Sequence, residues 1–323
     1  MTRMTQAYPI AAALGLIALI LDSKTALQGG SEGLALVLKT IIPSLFPFLF
    51  LSAVISSFQC SKESHWKPLC KLFRIPDGTQ MLLISAFLGG YPAGAQAVSA
   101  AYRNGSIRKE TAERMLSFCN NAGPAFLFGI ISRFLHDSKS VWLLWLFHIL
   151  GALAAAWMHP CETELTNIRT QNNSMSMTEM LKHTLSVMGI LCGWIILFRI
   201  LIAYADRWFL WLLPEEIRSI LIGLLELSNG IMELDRIANE PLRFCACSIL
   251  ISLGGLCITL QTFSVTVGLR KKWYFKGKMI QSAVSLLCCL SYYVHVLFVI
   301  PVFLLFLAYI PKIRSGNPQR VGI

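Results

Sequence analysis

The chain has 323 residues, 55% of them hydrophobic and only 14% charged, with a mean hydropathy of +0.61. A soluble domain carries about a quarter charged residues, so this composition excludes an ordinary soluble protein and defines an integral membrane protein. The formal charge of +11 comes from Lys and Arg in short clusters between apolar runs, where they meet lipid headgroups and set topology rather than bind nucleic acid.

Apolar windows of roughly spanning length, about 20 residues, fall at 8–27, 33–58, 80–102, 115–135, 141–158, 183–205, 217–234, 244–267 and 279–310. The first follows Arg3 and ends in Asp22-Ser23-Lys24 without a small-residue cleavage site, so it reads as a retained span and not a signal peptide. A polar stretch near the middle divides the chain into an N-terminal membrane half, 1–158, a connector, 159–182, and a C-terminal membrane half, 183–323. Ten cysteines form no C-x-x-C pair and no His stands at metal-ligand spacing, so neither metal nor cofactor is expected.

Each half contains two interruptions of apolar sequence. The run L-G-G-Y-P-A-G-A-Q-A-V-S at Leu88–Ser99 returns as L-G-G-L-C-I-T-L-Q-T-F-S at Leu253–Ser264. A second defect follows in the first half, S-F-C-N-N-A-G-P at Ser117–Pro124, and another lies in the second, E-L-S-N-G at Glu226–Gly230. Gly89, Gly90, Pro92, Gly94, Gly123, Pro124, Gly230, Gly254 and Gly255 are poor choices for a plain membrane anchor, but they suit helices that break or turn back at membrane depth. Close helix packing through small residues is the competing reading for the glycines alone.

Broken helices leave amides and carbonyls free for a solute, and the neighbouring side chains supply donors and acceptors. Tyr91, Gln96, Asn120, Asn121, Ser228, Asn229 and Gln261 are therefore the candidate substrate contacts. Glu226, a carboxylate between leucines, is the candidate for ion coupling or gating, with Lys39 or Arg199 as a membrane-embedded cation that could pair with it. His148 and His295 stand alone on apolar stretches and read as hydrogen-bonded packing residues. The loop 268–278 with Arg270, Lys271, Lys272, Lys276 and Lys278 reads as a cytoplasmic basic connection. Inverted and parallel arrangements of the halves both stay open. No nucleotide-binding, zincin, or nucleophile-elbow motif occurs, so an enzyme is not expected.

In order along the chain, P-S-L-F-P-F at Pro43–Phe48, G-Y-P-A-G-A at Gly90–Ala95, A-E-R-M-L-S-F-C-N-N-A-G-P at Ala112–Pro124, G-L-L-E-L-S-N-G at Gly223–Gly230 and G-G-L-C-I-T-L-Q at Gly254–Gln261 resemble the YlbJ-type sporulation integral membrane proteins, within the wider group that shares the nucleoside-recognition or Gate domain. The resemblance implies an all-α polytopic fold with internally repeated halves containing re-entrant or broken helices, similar to concentrative nucleoside transporters. It further implies a place in the mother-cell membrane around the forespore and export of a small aromatic dicarboxylate, dipicolinic acid. Gly94-Ala95-Gln96-Ala97 stands where the nucleoside transporters carry G-Q-T-E, which argues against nucleoside specificity.

The expected partners are thus a small anionic solute, a coupling ion (H+ or Na+) and membrane lipid, with no nucleic acid. A homo-oligomer or other sporulation membrane proteins complete the list. The rival readings are a non-transporting scaffold of a sporulation complex and a nucleoside-type transporter.

Overall fold

The computed structural model describes residues 2–57, 67–135, 137–159 and 176–314, and every regular element among them is helical. Helix α1 (Thr2–Leu21) ends at Asp22, whose carboxylate accepts from the Thr25 hydroxyl at 2.8 Å and caps α2 (Ser23–Leu36). A π-helical turn, Val37–Ile41, carries α2 into α3 (Ile42–Ser57). Pro43 has no N–H to offer the preceding turn, and the widened backbone there lets the helix pass it.

The first half continues with α4 (Lys67–Phe73), α5 (Gln80–Gly89), α6 (Ala93–Arg103), α7 (Lys109–Met115), α8 (Pro124–Gly129) and α9 (Ser138–Met158). The second begins with α10 (Met177–Trp208), then α11 (Glu215–Leu225), α12 (Leu227–Glu233), α13 (Glu240–Leu253), α14 (Gly255–Val265), α15 (Lys272–Tyr293) and α16 (Ile300–Arg314). Among the described residues, four stretches are long and apolar enough to cross a bilayer: Ser23–Ile55, Ser138–Met158, Met177–Trp208 and Glu240–Val265. The chain is an all-α polytopic membrane protein.

Close approach of backbones positions these spans. The Gly29 and Gly33 positions of α2 lie against α10; a Cβ on Gly29 would meet Ile200 Cα at 2.9 Å, and one on Gly33 would meet Ile196 Cα at 3.0 Å. Such small residues let helices pack without an apolar driving force from lipid. Along α9, Gly151 presses equally hard on α15, where an added Cβ would stand 2.7 Å from the Gln281 carbonyl oxygen.

Two of the apolar windows are hairpins. A Cβ on Gly94 would lie 3.0 Å from Ala86 Cβ, whereas eight residues of continuous helix would separate them by about 12 Å. The chain therefore doubles back between α5 and α6, around Gly90-Tyr91-Pro92. Likewise Gly230 packs onto the Gly223 backbone, so α12 runs back along α11 from the bend at Glu226. The other two windows are interrupted: Leu116–Gly123 is non-helical and buried throughout, and α13 gives way to α14 at Gly254, where Gly254 and Gly255 adopt φ of 82° and 72°.

Each half thus holds a hairpin followed by an interrupted helix. The sequence matching paired elements of different kinds: the first glycine motif is a hairpin tip, the second an interruption, and the Asn120 and Glu226 defects are crossed in the same way. Two boundaries also move. The 279–310 window is two helices: α15 ends at Tyr293, and His295 caps the 3-10 turn Val296–Val299 that leads into α16, accepting from Leu297 N at 3.2 Å through Nδ1. Helix α10 begins at Met177, inside the expected connector, where Ser176 and Glu179 form a capping box; residues 160–175 of that connector lie outside the described residues.

Candidate functional site

The four interruptions meet. A Cβ on Gly90 would fall 2.8 Å from Gly123 N, bringing the first hairpin tip onto the end of the Leu116–Gly123 stretch. A Cβ on Gly255 would fall 2.8 Å from the Gly223 carbonyl, setting the second hairpin on the α13–α14 break. The halves are joined by Tyr91, whose hydroxyl donates to the Ile251 carbonyl and whose ring lies 3.6 Å from a Cβ placed on Gly254. Between them lies a partly open cavity, lined by Gly90, Tyr91, Gly123, Glu226, Ser228 and Gln261 and flanked by leucine and isoleucine side chains of α3 and α10.

Glu226 is buried, with extended backbone, at the head of α12. Its carboxylate accepts from Ser228 N at 3.0 Å and from Asn229 N and Nδ2, both at 2.7 Å. The N-terminus of α12 is therefore filled by the chain's own carboxylate and not left open for a solute anion. This corrects the expected pairing with Lys39 or Arg199. Lys39 is exposed on the π turn, away from the cavity lining, and Arg199 bonds Glu32 of α2.

The carboxamides divide. Gln261 lines the cavity, and its Oε1 is buried without a hydrogen-bond partner while its Nε2 donates to Cys257 Sγ at 3.2 Å. Asn120 and Asn121 lie behind the lining, in the non-helical stretch. Asn120 Nδ2 donates to Thr262 Oγ1 at 2.8 Å and leaves Oδ1 unpartnered; Asn121 Nδ2 donates to the Phe118 carbonyl. Gln96, on α6, is half-buried with an unpartnered Oε1 and stands outside the cavity lining. Buried acceptors left unpaired are rare and costly, and three of the sequence-selected carboxamides carry them. Pro92 and Pro124 open α6 and α8, Gly94 packs on the Cys119 carbonyl, and Gly89 meets Ser52 and Ala93.

Sequence reasoning missed the polar core behind Tyr91. Lys278, Gln281, Ser282 and Ser285 occupy one face of α15 at i, i+3, i+4 and i+7, all buried. Lys278 Nζ donates to the Asn120 carbonyl and to Gln281 Oε1 (3.3 Å), and lies 5.0 Å from the Tyr91 ring centroid. Gln281 Nε2 reaches Asn121 Oδ1 at 2.9 Å and the His148 carbonyl at 3.2 Å. Ala122 N donates to His148 Nε2 at 3.2 Å, which puts the neutral ring's proton on Nδ1, facing Ser252 Oγ at 3.4 Å. The non-helical stretch is thereby bonded to α9, α14 and α15, and through His148 linked to Ser252 of α13. The signal was legible as a polar stripe at helical spacing, but the basic cluster from Arg270 onward drew its first member, Lys278, into the loop and left the rest inside an apolar window.

Fold and site together define a polytopic α-helical membrane protein with an internal, partly polar cavity built from broken helices. No family model matches the chain, and no solved structure matches it. Among curated proteins it is similar to the sporulation integral membrane protein YlbJ of Bacillus subtilis (strain 168), 30% identical over 134 residues, or 39% of this chain and 32% of that protein. The match spans about a third of that relative's length.

Proposed function

We propose that the protein is a membrane transporter for a small aromatic dicarboxylate, dipicolinic acid, moving it from the mother cell toward the forespore across the mother-cell membrane during sporulation. One observation carries this reading: four helix interruptions converge on a single cavity that combines Gln261 and Glu226 with an apolar wall. Such a mixture holds a ring by contact and orients its polar arms. The likeness to a sporulation membrane protein supports the setting. In this mechanism the cavity alternates between the two membrane faces, Glu226 takes up the coupling H+ or Na+, and Gln261 contacts the solute.

Ligand-dependent stabilisation tests the reading, because a compound that binds the folded state raises its apparent stability. The detergent-solubilised protein is heated with dipicolinate, a nucleoside panel and simple dicarboxylates. Stabilisation by dipicolinate above the others is expected. Stabilisation by nucleosides alone favours the nucleoside-type rival, and a flat response to every compound favours the scaffold.

A further inference from the structure

Among the described residues, most buried charges face an opposite charge, cap a helix or spread over several backbone carbonyls, and Lys278 is the least compensated of them. Glu113 accepts from Arg270 Nε at 2.9 Å, Arg243 faces Asp235 at 3.9 Å, Arg114 donates to the Phe73, Arg74 and Ala156 carbonyls, and Glu226 caps α12. Lys278 is 3% exposed, and among the described residues no carboxylate lies within ion-pair distance of it. Its acceptors are two neutral oxygens, the Asn120 carbonyl and Gln281 Oε1, and the third N–H is left to the faces of Tyr91 and Tyr274, 5.0 and 6.0 Å away. An ammonium has three donors and a full charge; neutral acceptors and aromatic faces compensate it only in part. Asn120 Oδ1 is a second buried group without a partner on the same residue that holds the ammonium.

The position of the ammonium matters as much as its isolation. Tyr91 lines the cavity, and Lys278 sits against its ring, so a single aromatic side chain separates the ammonium from the cavity. Lone ionisable groups inside membrane proteins typically face a pathway. We propose that Lys278 is the counter-charge for a carboxylate of the transported solute, which reaches the ammonium when the Tyr91 ring is displaced. This rests on the anionic-solute reading above. The Asn120 backbone carbonyl and Gln281 hold the ammonium in place, Gln281 being fixed in turn by Asn121 Oδ1, and Tyr91 covers it when no solute is bound.

The test compares dipicolinate with pyridine-2,6-dimethanol, the same ring bearing neutral arms, by titration into the purified full chain. Wild type is expected to bind dipicolinate about tenfold or more tightly than the diol, and Lys278→Gln to bring the two to about equal affinity by weakening dipicolinate alone. Lys278→Arg should restore part of the preference. A folded Lys278→Gln protein that keeps the wild-type preference overturns the assignment while leaving anion transport intact. Wild type that binds neither compound overturns the transport reading and this one with it. Should Lys278→Gln fail to fold, reductive methylation of wild type gives the answer. Dipicolinate, but not the diol, should slow modification of Lys278 relative to exposed Lys272 and Lys276; equal rates overturn the proposal.

Discussion

Gly90 and Gly123 touch backbone to backbone: a Cβ on Gly90 would stand 2.8 Å from the Gly123 nitrogen, and one on Gly123 would stand 2.9 Å from the Gly90 nitrogen. That contact fixes the first hairpin tip against the first interruption. Gly90 also has φ 71° and ψ −160°, a region open essentially to glycine.

Gly90→Ala should therefore cost about 2–5 kcal/mol, from backbone strain added to overpacking. Gly123→Ala, with φ −81°, should cost about 1–3 kcal/mol from overpacking alone. Gly105 is the control: its φ is 70° but nothing lies within 4 Å of an added Cβ, so Gly105→Ala should cost about 1 kcal/mol. Unfolding of the three variants in one detergent measures the order. A Gly90→Ala protein as stable as Gly105→Ala would mean the hairpin tip does not sit against the interruption.

Glu226 holds α12 through three donors. Glu226→Ala leaves the Ser228 and Asn229 amides buried without acceptors and should lower stability by about 2–4 kcal/mol. Glu226→Gln keeps one carbonyl oxygen for the cap and should be milder, by about half, while removing the charge that the proposed mechanism uses for ion coupling. Thermal unfolding and the ion dependence of uptake are read on the same samples. Undiminished ion coupling in Glu226→Gln would remove Glu226 from that role.

Glu113 of α7 is fully buried and accepts from Arg270 N and Nε, both at 2.9 Å, tying the first half to the turn before α15. Arg270→Ala removes only the side-chain bond, from a residue that is largely exposed, and should cost about 1 kcal/mol or less. Glu113→Ala also strands the Arg270 amide and should cost about 1–3 kcal/mol. A double-mutant cycle in denaturant separates the shared bond from the rest. Equal losses for the two single variants would contradict the assigned geometry.

Lys39 offers the complementary case. It is exposed and outside the cavity lining, so Lys39→Gln should leave solute affinity and ion coupling unchanged within about twofold. A tenfold loss of either would return Lys39 to the site.

Much of this architecture could be read in the letters. Glycine, proline and carboxamides inside apolar windows located all four interruptions, because lipid tolerates such residues only where backbone finds partners in protein or cavity. Their kind was not legible. A hairpin tip and a mid-span break have the same local composition, so Leu88–Ser99 matched Leu253–Ser264 although one reverses the chain and the other only interrupts it. Glu226 stood out as a lone carboxylate, yet its partners lie within three residues and not on a distant cation. Lys278 was lost among Arg270, Lys271, Lys272 and Lys276, since a basic cluster looks the same whether its last member faces headgroups or turns inward with Gln281. Arg199 found Glu32 across the α2–α10 interface, a pairing that depends on which helices pack and leaves no local trace.

In the proposed function the cavity among the four interruptions carries a small aromatic dicarboxylate through the membrane. Proteoliposomes holding the purified chain test it directly, by following labelled dipicolinate across H+ and Na+ gradients with wild type and Gln261→Ala side by side. Gradient-dependent flux is expected in wild type, with a loss of about tenfold or more in Gln261→Ala, whose missing carboxamide faces the cavity. No wild-type flux under any gradient, or equal flux in the two proteins, would contradict it.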